Sequence, residues 1–185
     1  MEIKKILVAN RGEIALRIMR TAKKMGIQTV AVYSEADKDA PHVTFADQAV
    51  CIGPAASSES YLKGDTIIEV AKKLGADAIH PGYGFLSENA GFADQVEKNN
   101  LIFIGPKAHA IEVMGNKLAS KESLEGRDIP MVPGTKDAIN NPKEAIKVAN
   151  EIGYPILIKA AAGGGGTYAS SQDKVYIDYE FEPFV

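Results

Sequence analysis

Short apolar runs alternate with helical patterns along the first hundred residues. Ile6-Leu7-Val8-Ala9 reads as a buried strand and Asn10-Arg11-Gly12-Glu13 as a turn. Ile14, Ala15, Ile18, Met19, Ala22 and Met25 then recur at helical spacing until Gly26 stops the helix. Thr29 to Tyr33 predicts a second strand and Val50 to Ile52 a third. Next comes a helix in which Ile67, Ile68, Ala71 and Leu74 share a face before Gly75 ends it. Ala76 to His80 predicts a fourth strand, Ala90 to Lys98 a short helix and Leu101 to Ile104 a fifth strand. Strands separated by helical crossovers predict an α/β fold built on a doubly wound parallel sheet.

After Gly105-Pro106 the pattern changes to a longer helical stretch, with Ile111, Met114, Leu118 and Ala119 on its expected buried side. Pro130, Pro133 and Gly134 break the chain. A helix follows from Asn141-Pro142 to Ile152, where Pro142 suits the first turn and Gly153 the end. Tyr154 to Lys159 reads as a strand running into Gly163, Gly164, Gly165 and Gly166. From Lys174 to Glu182 the residues alternate, as in a half-exposed strand. A sheet ending at its second strand leaves an unpaired edge, so this last unit is expected to be incomplete or paired elsewhere.

Composition narrows the class. Of 185 residues 45% are hydrophobic and 24% charged, a globular balance that excludes disorder, collagen and coiled coil as overall descriptions. Lys and Arg number 21 against 24 Asp and Glu, for a net charge of −3. The basic excess of a nucleic-acid binder is missing, and no run approaches the ~20 apolar residues of a membrane span. Arg11 and Glu13 follow the first apolar run too soon for a signal peptide, so a cytosolic or organelle-matrix location is expected. Cys51, with no second cysteine to pair, reads as a small buried hydrophobe in the run Ala49 to Ile52.

Three segments carry candidate chemistry. Lys159 precedes four glycines whose bare backbone N–H groups suit an anion, so together they form a phosphate grip, although four glycines equally make a flexible linker. The order is wrong for a P-loop, where the lysine follows the glycines. The Asn10 to Glu13 turn holds only one of the three glycines of a dinucleotide fingerprint, and Glu13 at a helix start repels phosphate. For Arg11 the satisfied arginine of a helix-start turn competes with a ligand-binding role. His80 to Asn89 follows the fourth strand, where ligands of open α/β sheets gather. Tyr83 and Phe85 offer flat faces to a ring, or else belong to the core while Ser87 caps the next helix. His80 alone reads as a satisfied core histidine. Zinc-hydrolase and serine-nucleophile motifs (HExxH, GxSxG) and a CxxC pair are missing.

Taken together, ANRGEIALRI at 9 to 18, HPGYGFLSEN at 80 to 89, FIGP at 103 to 106, MGNK at 114 to 117, VPGT at 132 to 135 and YPILIKAAAGGGG at 154 to 166 closely resemble biotin carboxylase. This is the ATP-grasp enzyme, or enzyme portion, of acetyl-CoA, propionyl-CoA and pyruvate carboxylases. The resemblance implies an N-terminal Rossmann-like α/β domain over residues 1–107, a helical linker over 108–135 and a partial ATP-grasp lid over 136–185. It implies that Lys117, Lys159 and Gly163, Gly164, Gly165 and Gly166 contact ATP, and that Tyr83 and Glu88 lie on the biotin side. The implied reaction uses ATP with Mg²⁺ or Mn²⁺ and bicarbonate to carboxylate biotin on a carrier protein. A carboxyltransferase subunit is the implied further partner, and family members are often homodimers.

The sequence departs from the family after its glycine run, where Lys or Arg and then Gly-Met-Arg are usual and Thr167-Tyr168-Ala169-Ser170-Ser171 stands instead. Residues 167–185 are therefore unassigned by resemblance, and Gly126 interrupts the helix usual between Ala119 and Asp128. The family's metal-binding glutamates, its bicarbonate base and the arginine that holds the biotin ureido oxygen fall beyond residue 185. The 185 residues are accordingly expected to form an N-terminal portion that is inactive alone, with no metal site. Two other readings stand beside this one: a non-catalytic nucleotide-binding or assembly module of a carboxylase complex, and an ordinary dinucleotide-binding domain.

Overall fold

The computed structural model describes residues 2–115, 120, 123–124, 128–130, 135, 139, 141–158 and 167–169. They fall in two compact units, residues 1–112 and 113–185. The first contains a five-stranded sheet of β1 (Lys5–Val8), β2 (Gln28–Ser34), β3 (Gln48–Gly53), β4 (Ala78–His80) and β5 (Ile102–Phe103). Its strands lie in the order β3-β2-β1-β4-β5, and every pairing is parallel. Such an order needs crossovers on both faces, which is the doubly wound arrangement the alternating pattern predicts. The helices are α1 (Gly12–Lys24), α2 (Pro41–Phe45), α3 (Gly64–Lys73), α4 (Ala90–Lys98) and α5 (Ala108–Gly115).

The period of two along β1 divides the core between the two faces. Ile6 and Val8 join Ala31 and Ala78 against the α1 stripe of Ala15, Ile18, Met19 and Ala22. Leu7 and Ala9 point the other way, into a cluster with Val30, Val32 and Ile79. There they meet Ile67, Ile68 and Ala71 of α3, Phe92, Ala93 and Val96 of α4, and Ile111. Burial on both faces explains why the central strands read as continuous apolar runs. Asp77 pins the start of β1 to β4 by accepting the N–H groups of Lys4 and Lys5 at 2.8 and 2.9 Å. Those two bonds hold the Asp77 carboxyl below its ordinary 3.8.

Four expectations are corrected. Cys51 is exposed, because β3 is an edge strand on which Ile52 turns inward and Cys51 outward. Met25 is 68% exposed, since it is the residue that caps α1 and no longer follows the helical stripe. Met114 is also exposed, and Ile111 is the buried residue of α5. Asn89 caps α4 by accepting the Phe92 N–H at 2.8 Å, the role expected of Ser87.

In the second unit α6 (Pro142–Ile152) begins at Asn141, which accepts the Glu144 N–H at 2.9 Å, and ends at Gly153. Strand β6 (Ile156–Ile158) pairs antiparallel with β7 (Thr167–Ala169). The sequence pattern identified β6 but not β7. Leu118, Ala119 and the alternating segment from Lys174 to Glu182 lie outside the described residues.

Candidate functional site

The strand order reverses direction at β1. Its neighbours are β2 on one side and β4 on the other, so the chain leaving β1 and the chain leaving β4 diverge above the sheet. A crevice at that point is where open α/β sheets bind ligands. The register sets Val8 beside His80, and the Ala9 N–H donates to the His80 carbonyl at 2.9 Å. Asn10 to Ile14 and Tyr83 to Phe85 consequently face each other across a cleft of about 420 Å³. A larger groove of about 760 Å³ lies between α3 and α4, away from the strand ends.

Asn10 joins the two walls. It is buried, and its amide donates to the Pro81 carbonyl and to the Tyr83 carbonyl, each at 2.8 Å. Its carbonyl oxygen accepts the Arg11 N–H at 2.9 Å, so three of the four hydrogen bonds open to an asparagine side chain are made. The space for that amide exists because residue 82 is glycine. A Cβ there would stand 2.7 Å from Asn10 Nδ2, and the backbone has φ +69°. His80 Nδ1 accepts the Gly82 N–H at 3.1 Å, which places the proton of the neutral ring on Nε2. Burial holds His80 below its ordinary 6.5.

Tyr83 is 61% exposed, and its hydroxyl donates to Glu13 Oε1 at the start of α1. That bond, and then a small burial effect, raise the phenol above its ordinary 10.0. Behind the cleft Asp37 gathers three donors: Arg11 at 2.8 Å, Tyr61 Oη at 2.7 Å and Ser34 Oγ at 2.9 Å. Burial alone would raise the Asp37 carboxyl, but the Tyr61 and Ser34 bonds and the Arg11 guanidinium outweigh it and bring it below 3.8. Tyr61 is pushed up to about 12 by burial and by its bond to Asp37. Its ring stacks on Phe85 with centroids 5.1 Å apart. The contacts thus close a ring from Arg11 through Asp37, Tyr61, Phe85, Tyr83 and Glu13 back to the turn.

Of the aromatic residues singled out from the sequence, Tyr83 and Phe85 both line the cleft. Glu88 is exposed further along the same loop and is not part of the cleft wall. Lys117, Lys159 and Gly163 to Gly166 lie outside the described residues. Arg11 is a satisfied arginine, as its place in the turn suggests. Asp37 follows β2, where a dinucleotide-binding fold puts its ribose-binding acid, and here it is engaged by Arg11, Tyr61 and Ser34. Asp37 and Tyr61 were not singled out and Asn10 was read only as part of a turn; besides the short-range Arg11 N–H to Asn10 and Ser34 to Asp37 bonds, the contacts that bring them to the site reach 24 to 73 residues along the chain, where no local signal records them. Among the described residues no three His, Cys, Asp or Glu side chains converge as a metal site. Among them, too, no helix is long and apolar enough to cross a membrane.

Residues 2–111 match the family described as biotin carboxylase, N-terminal domain. Residues 116–174 match the ATP-binding domain of the carbamoyl-phosphate synthase L chain. The chain is 59% identical over 164 residues to biotin carboxylase 1 of Bacillus subtilis (strain 168), which is 89% of this chain and 36% of that protein. It is similar, with a TM-score of 0.86 and 49% identity, to the biotin carboxylase of Campylobacter jejuni solved as a β-γ-ATP complex; the match covers 93% of this chain and 39% of that one. A biotin carboxylase domain dimer from the 2-oxoglutarate carboxylase of Hydrogenobacter thermophilus, solved with MgADP, ADP and bicarbonate, matches with a TM-score of 0.85 and 46% identity. That match covers 94% of this chain and 39% of the other. The chain therefore spans a little over a third of the length of these three proteins.

Proposed function

We propose, for a chain that belongs to the biotin carboxylase family, that it supplies the first part of an enzyme that carboxylates biotin at the expense of ATP. On this reading residues 1–107 form the N-terminal domain, 108–135 the linker and 136–185 part of the ATP-grasp lid. The observations that carry it are the 59% identity over 164 residues to a biotin carboxylase and the family match over residues 2–111, which includes both walls of the cleft. MgATP and bicarbonate are the proposed co-substrates, supported by the ADP, magnesium and bicarbonate of a structure to which this one is similar. Biotin is borne by a carrier protein, and a carboxyltransferase receives the product.

The roles proposed for individual residues are those the resemblance implies, and the chemistry of each residue type suits them. Lys117 and Lys159 offer cations to the nucleotide, and Gly163, Gly164, Gly165 and Gly166 offer backbone N–H groups to its phosphates. Tyr83 is assigned to the biotin side, in a cleft wall that follows β4, and Glu88 is assigned there by the resemblance alone, since it lies further along the same loop outside the cleft wall. A magnesium ion, when bound with ATP, neutralises phosphate charge; its ligands are not assigned to these residues. The 185 residues do not complete the reaction by themselves. They span 36% of the Bacillus relative, and the resemblance puts the metal-binding glutamates and the bicarbonate base in the remainder.

A chimera tests the assignment. Residues 1–166 of this chain, to the end of the glycine run, replace the corresponding segment of the Bacillus subtilis relative, and biotin-dependent ATP cleavage is measured. Retained turnover is expected, with KM for ATP raised by Lys117→Ala and KM for biotin raised by Tyr83→Ala. A folded chimera that binds ATP but never responds to biotin overturns the reading. The 185-residue chain assayed alone should release no biotin-dependent phosphate.

A further inference from the structure

The Tyr83 hydroxyl has one hydrogen to donate, and Glu13 takes it. What remains on that oxygen is acceptor capacity. Its placement is set from two directions. Asn10 grips the carbonyl of Tyr83 itself at 2.8 Å, and Phe85, two residues on, stacks on Tyr61, whose hydroxyl is fixed by Asp37. Asp37 in turn holds Arg11, in the same turn that presents Glu13. Asn10 and Glu13 act on the loop after β4 directly from the β1–α1 turn, and Arg11 of that turn reaches it through Asp37, which follows β2, and Tyr61, which follows β3.

We propose that Asn10 and Glu13 are positioning residues for Tyr83. The buried Asn10 amide fixes the loop and the Glu13 carboxylate fixes the hydroxyl, so that the phenolic oxygen meets the cleft as an acceptor for a ligand group that donates an N–H or O–H. The identification of the cleft as the biotin side rests on the function proposed above; the positioning does not. Glu13 is the charged group whose field reaches the Tyr83 hydroxyl. Arg11 on the same wall is held by Asp37, and on the β4 side the ring of His80 accepts the Gly82 N–H.

The ionisation of Tyr83 reads its placement directly and needs no substrate. The 185-residue chain is titrated by ultraviolet difference absorbance, and each variant is measured with and without Tyr83→Phe, so that the difference isolates this phenol from the other tyrosines. In the parent Tyr83 ionises above 10.0. Glu13→Gln brings it down toward that value. Asn10→Asp does the same although Glu13 is intact, because a carboxylate cannot donate to the two carbonyls and the loop is released. Asn10→Ser, which keeps one donor, falls between.

A stability role alone would lower the melting temperature of the Asn10 variants and leave the Tyr83 titration of the folded protein unmoved. That result overturns the proposal. Glu13→Gln changes one side chain at a helix start and is expected to fold, so a parent-like titration in it overturns the proposal even if both Asn10 variants fail to fold. In the chimera, Asn10→Ser raises KM for biotin several-fold with KM for ATP unchanged. A chimera indifferent to biotin, together with the expected titrations, leaves the positioning established and removes the functional reading.

Discussion

At the residue scale the cleft depends on a few positions where one atom decides. Gly82→Ala meets two costs at once, a left-handed backbone that L residues avoid and a Cβ 2.7 Å from the Asn10 amide. It should lose about 1–3 kcal/mol in chemical denaturation, a typical cost of a strained backbone position. Asp37→Ala removes the acceptor of Tyr61 and Ser34 and the partner of Arg11. A loss of about 1–3 kcal/mol is expected from the orphaned donors, and Tyr61 should ionise below its parent value of about 12. Tyr83 and Phe85 were legible in the sequence as aromatics after a strand. Asn10 was legible only as a turn residue, because what it grips comes more than 70 positions later.

At the scale of the element, periodicity and punctuation did most of the work. Helix α4 was expected over Ala90 to Lys98 and is found there. Its cap was misplaced because Ser87 and Asn89 are both good capping residues in sequence. The choice falls to geometry: the Ser87 N–H closes a turn onto the Gly84 carbonyl, and Asn89 is the residue whose side chain reaches Phe92. Asn89→Ala should therefore cost about 1 kcal/mol, and Ser87→Ala should stay within about 0.5, compared by denaturant midpoint. The third strand was located correctly, but its place at the sheet edge, and hence the exposure of Cys51, depends on which strands neighbour which.

For the whole molecule, pH joins the separate groups. His42 is held below 6.5 chiefly by burial, and so is His80; both take up protons more readily when unfolded, so stability falls as pH drops below 6.5. Asp37, Asp47 and Asp77 are all below 3.8, so the stability they contribute is present above that value and is lost as pH falls through their folded values. Tyr61 and Tyr83 are raised, and their contribution is lost as pH climbs past 10.0. Melting temperature against pH should show a plateau between about 6.5 and 10, an acid limb that steepens below about 4 and an alkaline limb. An acid limb starting only below 3 would contradict these assignments. The order of the five parallel strands and of helices α1, α3, α4, α5 and α6 was determined by the sequence alone, because burial on both faces of a sheet writes short continuous apolar runs, and burial on one stripe of a helix writes a period of 3.6, into neighbouring residues; α2 and β7 left no such mark. The family, too, could be recognised in contiguous blocks of residues. The pairing of β1 with both β2 and β4 was decided only by the tertiary structure, and with it the meeting of Asn10 with Tyr83 and of Asp37 with Arg11. Contacts between residues far apart in the chain are set by how elements pack, and no local pattern records them.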